Sequence, residues 1–196
     1  MFDQIQFGRE FFAALERGDE KILQQVAKGG CPWCDHGPLH RGDFRRKPRG
    51  ALIAPAGEEF VKRFSLCCGR EGCRRRATPP SLRFLGRRVY LGAVVILACT
   101  LARMESDAAE LRRPTGVPAR TRRRWLGWWE GPFISTEVFL AVRARLVGVA
   151  VAELPASILV RLAGGLPEQV RAMLTLIAPL TTVSCPEGSR SLRIAP

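Results

Sequence analysis

Two groups of cysteines carry the strongest chemical signal in this chain. Cys31-Pro32-Trp33-Cys34 sets two thiols around a tight turn directly after Gly29-Gly30. Cys67-Cys68-Gly69-Arg70-Glu71-Gly72-Cys73 supplies three more, with 33 residues separating Cys34 from Cys68. Two such turns brought together make a tetrahedral four-thiolate site, the arrangement that zinc favours. The expected ligands are Cys31, Cys34, Cys68 and Cys73, with Cys67 the alternative to Cys68. Cys68 is preferred because the glycine-containing loop from it to Cys73 resembles a knuckle, and adjacent strand residues point to opposite faces. His36 or His40 replacing one thiolate is a further alternative. A closed four-thiolate site leaves no position for water or substrate, so the expected Zn2+ is structural and single.

Competing uses of the thiols fit less well. A redox CxxC needs a strand before it and a helix after it, but Asp35-His36-Gly37-Pro38 follows and cannot continue a helix. Seven cysteines is an odd number for a disulfide framework. Cys99 sits in an apolar stretch and reads as a small buried hydrophobe, and Cys185 as an incidental thiol.

The second signal is charge. The 196-residue chain carries a formal net charge of +13, and 27 of its 31 basic residues are arginine. The excess is uneven. Residues 41–88 hold fourteen basic residues against four acidic ones, and residues 112–130 hold six against one. Base composition of a genome would spread arginine evenly, whereas two local excesses point to a polyanionic partner. The expected nucleic-acid-binding residues are Arg74, Arg75 and Arg76 in the first segment and Arg120, Arg122, Arg123 and Arg124 in the second, with Arg120 and Arg123 reading bases and Arg122 and Arg124 gripping the flanking strands.

The elements that must position these groups follow from periodicity. Residues 2–28 read as one amphipathic helix, or two short ones around Gly18-Asp19, with Phe7, Phe11, Leu15, Ile22, Leu23 and Val26 at near-helical spacing. From Cys31 to about Gly86 the helical period is lost. Short strands are expected at 39–44, 50–55 and 59–67, in a stretch with too few apolar residues to hold a core without a metal staple. Residues 88–104 read as a central helix, 106–113 as a short one, and 118–129 as another opening on Pro118. Helices over 135–153, 155–162 and 167–177 complete the chain before an irregular tail. The fold class is therefore α+β: an N-terminal helical segment over 1–30, a small β zinc ribbon over 31–86 and a helix-turn-helix-like region over 87–130. A helical region over 131–180 and a tail over 181–196 follow.

Within 118–129, Thr121, Trp125, Trp128 and Trp129 fall on one helical face and Arg120 and Arg123 on the other. The first face suits a core and the second suits a DNA groove. Trp33, on the first knuckle, is placed to stack or wedge.

The combination of CPWC, RFSLCCGREGC, RRRATPPS and GVPARTRRRW resembles the zinc-ribbon and helix-turn-helix front end of bacterial insertion-sequence transposases and their small companion proteins. The likeness covers roughly residues 30–130. It implies ribbon ligands at Cys31, Cys34, Cys68 and Cys73, and a recognition helix over Ala119–Trp129. The catalytic core of that family needs carboxylates on a ribonuclease-H-like sheet. Here only Glu137, Glu153, Glu168 and Glu187 lie beyond Glu130, in helical surroundings. The expectation is thus an accessory or regulator without chemistry of its own, since two histidines and scattered acids assemble no catalytic set.

The expected partner is nucleic acid, double-stranded DNA ahead of structured RNA, with a protein partner through residues 131–180 as a further option. No apolar run reaches membrane-spanning length, because the longest covers the fourteen residues from Val89 to Ala102. The N-terminus has no secretory pattern. A cytoplasmic, nucleoid-associated protein is expected.

Overall fold

A computed structural model describes residues 7–49, 58–85, 90–104 and 115–182. The chain is an α+β protein: one long helix, a small β region and a mostly helical C-terminal part. The expected strand at 50–55, the helix at 106–113 and Cys185 lie outside the described residues.

Helix α1 (Arg9–Gly29) runs unbroken through Gly18-Asp19, so one long helix stands where two short ones were the alternative. Its buried positions divide along its length. Phe12, Leu15 and Ile22 enter the main core, while Leu23 enters a second, small cluster with Phe64, Leu66 and Ala77. The helix is a spine shared by both parts of the molecule.

The β region consists of very short strands: β1 (Leu39–Arg41), β2 (Phe44–Arg45), β3 (Lys62–Arg63), β4 (Leu66–Cys68) and β5 (Arg76–Ala77). β1, β4 and β5 form one antiparallel sheet with β4 in the centre, and β2 pairs with β3. The register sets Leu39 opposite Cys68 and His40 opposite Cys67, with Cys67 also facing Arg76. The expected strand over 59–67 is divided. Residues Glu58–Val61 form a 3-10 turn, and β3 and β4 belong to different sheets. Arg63 is buried and donates to the Pro79 carbonyl, which ties β3 to the connection that follows β5.

The C-terminal part surrounds α2 (Gly92–Met104), in which every residue from Ala93 to Leu101 is buried. Apolar burial on all faces is what its sequence predicts for a central helix. Helix α3 (Ala119–Glu130) packs on it, tied at its C-terminal end by an ion pair between Arg103 and Glu130. Trp125 meets Tyr90 edge-to-face at 5.0 Å, and Trp129 meets Phe133 at 4.7 Å.

Helix α4 (Glu137–Arg145) is N-capped by Thr136, whose hydroxyl accepts from the Phe139 N–H at 3.2 Å. It ends eight residues before the expected 153, because Leu146 is extended and Gly148 turns the chain at φ 76°. Arg161 holds that turn by donating to the carbonyls of Val147 and Gly148. Helix α5 (Ala156–Leu159) is a single turn, shorter than the expected 155–162, and α6 (Leu166–Ile177) matches expectation within a residue. Among the described residues no helix is long and apolar enough to cross a membrane.

Candidate metal centre

The structure brings Cys31, Cys34, Cys68 and Cys73 together, with all four Sγ atoms within 4.8 Å of one another. Cys34 and Cys68 Sγ are 3.3 Å apart, and Cys31 and Cys73 Sγ are 3.7 Å apart. Ligands about 2.3 Å from a tetrahedral zinc would have edges of about 3.8 Å. The cluster is thus sized to coordinate a metal ion. None of the four clustered cysteines is in a disulfide.

Each ligand is set by backbone chemistry. The Cys31 N–H donates to the Gly37 carbonyl at 2.9 Å and the Gly37 N–H to the Cys34 carbonyl at 3.3 Å, which closes the first knuckle. In the second, the Cys73 N–H donates to the Arg70 carbonyl at 3.2 Å, and the Cys68 N–H to the Arg75 carbonyl at 2.9 Å. The Gly69 N–H reaches back to the Pro38 carbonyl at 2.8 Å and joins the two loops. Among the described residues, Asp35, His36 and Arg74 are the non-glycine positions with positive φ, and all three belong to the knuckles. Left-handed backbone at such residues costs energy and persists only where its surroundings enforce it.

Gly37 is part of the site in a way that spacing did not reveal. A Cβ there would stand 3.1 Å from Cys34 Sγ and 3.2 Å from Cys68 Sγ, so the bare backbone packs directly on two ligand sulfurs. The Arg70 N–H points at Cys68 Sγ from 3.4 Å, and the Arg70 guanidinium donates to the Cys34 carbonyl at 3.0 Å. These outer groups stabilise thiolate charge and orient ligands. Desolvation and hydrogen bonds from neighbouring thiols, Cys68 first, push the Cys34 thiol up to about 12. A hydrogen bond from the Arg75 backbone N–H pulls the Cys73 thiol down to about 7. Four thiols this close do not ionise together unless a cation offsets the charge, which couples metal binding to proton release.

The structure also separates the alternatives. Cys67 faces away from the cluster, where its Sγ would lie 2.8 Å from a Cβ on Gly42. Neither histidine joins the sulfurs. His36 Nδ1 pairs with the Gly29 carbonyl at 2.7 Å, and the His40 ring packs over Gly69.

The expected arginine contacts divide into two kinds. Arg74 and Arg75 are exposed at the second knuckle, and Arg120, Arg123 and Arg124 are exposed on α3. Two others make bonds within the fold. Arg122 is buried at 4% exposure and donates to the Val117 carbonyl at 2.8 Å, closing the turn that carries Gly116. Arg76 is exposed, and its Nη1 donates to the Gly42 carbonyl and to Ser65 Oγ while its guanidinium lies over the Phe44 ring. Helical-wheel arithmetic set Arg122 beside the basic face, but the turn preceding α3 needed a donor and drew it inward. Trp125 and Trp129 are buried as expected, whereas Trp33 is 37% exposed. No protein-family model, no curated protein and no solved structure matches this chain.

Proposed function

We propose that this is a zinc-stabilised DNA-binding protein with no catalysis of its own, in which the metal holds the β region and α3 reads DNA. The observation that carries the proposal is the two-sidedness of α3. Trp125 and Trp129 anchor one face at 2% and 0% exposure. Arg120, Arg123 and Arg124 project from the other, with no ion-pair or hydrogen-bond partner among the described residues. A rigidly seated helix with unpaired guanidiniums near its N-terminal end is the arrangement a major groove accepts. Zinc is the favoured ion because four thiolates suit a borderline-soft cation, and their full coordination makes its role structural. Protein purified without added chelator should contain one zinc per chain by elemental analysis, and folded protein free of metal would overturn this part.

Base contacts and phosphate contacts separate by mutation. Selection from random duplexes should return a short guanine-containing motif. Arg123→Ala should blur particular positions at roughly 1–3 kcal/mol of discrimination, with nonspecific affinity largely kept. Trp125→Ala acts on the core instead and should lower stability by about 3–5 kcal/mol. A selection that yields no motif, while folded RNA binds tightly, would favour the RNA reading. The exposed Trp33 at the metal tip is the feature that supports that second reading, because an indole stacks on unpaired bases regardless of sequence.

Salt dependence tests the electrostatic part. The slope of log affinity against log salt should correspond to roughly 6–10 phosphate contacts. Neutralising Arg74 and Arg75 should weaken all sequences about equally, whereas Arg76→Gln should act through ribbon stability. The resemblance to transposon front ends suits an accessory or regulator of a mobile element. The exposed Leu140, Val147 and Val160 on the 131–180 region suit a protein partner there.

A further inference from the structure

A second basic site lies away from the knuckles and from α3. A Cβ on Gly18 would meet Leu82 Cδ1 at 2.3 Å, so the missing side chain lets Leu82 lie against α1. Beside this contact, α1 and α6 border a cleft of about 610 Å³. Arg17 and Lys21 line it from α1, and Arg171 lines it from α6. All three are exposed, and none of their side chains has an ion-pair or hydrogen-bond partner among the described residues. Arg17 and Lys21 stand one turn apart, where like charges destabilise a helix unless something offsets them.

The acids that could offset them are committed elsewhere. Glu16 binds Arg83 at 2.9 Å and Glu20 binds Arg41 at 2.9 Å. Glu168 also lines the cleft, but its carboxylate folds onto the first turn of α6, with Oε2 3.1 Å from where a Gly165 Cβ would be. A carboxylate there complements the helix N-terminus. Three cations against one acid leave an excess of about two positive charges, the complement of a phosphate monoester. Ala14, Leu82 and Ala172 give the cleft an apolar wall that a lone inorganic anion would not use. The volume lies within the roughly 300–1,000 Å³ range of small-molecule sites and is far too small for a duplex.

We propose that the α1–α6 cleft binds a nucleoside phosphate, free or as one nucleotide of a single strand. The three cations grip the phosphate and the apolar wall receives the sugar or base. This site is independent of the α3 interface and stands or falls separately from duplex recognition.

The test is titration of the metal-loaded, 15N-labelled full chain with AMP, with a short single-stranded oligonucleotide and with inorganic phosphate. AMP or the oligonucleotide should shift amides of residues 14–21 and 163–175, with AMP binding more tightly than inorganic phosphate. Lys21→Gln and Arg171→Gln should each weaken binding by roughly ten-fold, the scale of one lost charge-assisted hydrogen bond. Both residues are exposed, and unchanged thermal unfolding of the variants would exclude a folding artefact. Arg123→Ala should leave AMP binding intact. A tighter oligonucleotide identifies a strand as the ligand, and tighter AMP identifies the free nucleotide. The proposal is overturned if neither ligand shifts the cleft amides, if both glutamine variants bind normally, or if inorganic phosphate binds as tightly as AMP.

Discussion

Chelating the metal, or replacing Cys68 with serine, should unfold residues 31–77 while leaving the α2 core folded. Among the described residues, the small cluster under the sheets has four buried apolar members, Leu23, Phe64, Leu66 and Ala77, with partly buried Val26, Ala27 and Leu39 against them. Among the described residues every strand is two or three residues long. Burial on that scale does not offset the conformational entropy of ordering more than forty residues. A structural zinc contributes an apparent ~10–16 kcal/mol in small zinc-dependent peptides, a margin large enough to decide whether this region folds. The main core is a separate cluster built on α1, α2, α3 and α6; it takes Phe60 from the β region but no residue of the knuckles. Amide exchange should therefore show Leu66 and Cys68 losing protection on chelation while Val94–Leu97 keep theirs. Cys67→Ser should be mild by the same measurement, because that thiol faces Gly42 and not the metal. A severe Cys67→Ser with a mild Cys68→Ser would reassign the ligand.

What was legible in the sequence is what depends on local chemistry. The four clustered cysteines followed from knuckle spacing, and the choice of Cys68 over Cys67 from the glycine-containing loop to Cys73 and from strand alternation. The limits of α3 and α6 followed from Pro118 and Pro167 beside strong apolar periodicity. The failures came where a distant partner overrides local preference. Arg122 looked like a surface residue until the Val117 carbonyl required a donor. Helix α4 stops early because Gly148 and the Arg161 guanidinium fix a turn that its own apolar pattern does not announce. The α1–α6 cleft was hidden for a related reason. Residues 1–30 carry slightly more acidic than basic charge. Only the structure sends Glu16 and Glu20 into ion pairs and leaves Arg17 and Lys21 together on the cleft.

Asp19 is the clearest case of a residue whose role only tertiary structure assigns, and Asp19→Ala should cost about 3–5 kcal/mol. In sequence, Gly18-Asp19 reads as a place where a helix could break. In the fold, the Asp19 carboxylate points inward at 2% exposure and organises the connection leading into α2. Its Oδ1 accepts the Leu82 N–H at 2.6 Å, and its Oδ2 accepts Ser81 Oγ and Arg83 Nε, each at 2.8 Å. The Arg83 side chain is fully buried, with its guanidinium 4.5 Å from the Phe64 ring centre, so it joins the small cluster of the β region to α1. Alanine at 19 would strand that cation against half-exposed Glu16 and the Phe60 carbonyl, and leave the Leu82 N–H unpaired. Breaking a buried pair in this way is costly because one charge stays inside without its partner. Removing both partners is a different experiment. Asp19→Ala with Arg83→Met should be more stable than Asp19→Ala alone, since no charge remains to be desolvated. It should still fall below the parent, because the Leu82 amide lacks an acceptor at about 1–3 kcal/mol. Urea unfolding of the metal-loaded proteins measures all three. A loss under about 1 kcal/mol for Asp19→Ala would mean that Arg83 escapes to solvent and that α1 and the β region are held together by apolar contact alone.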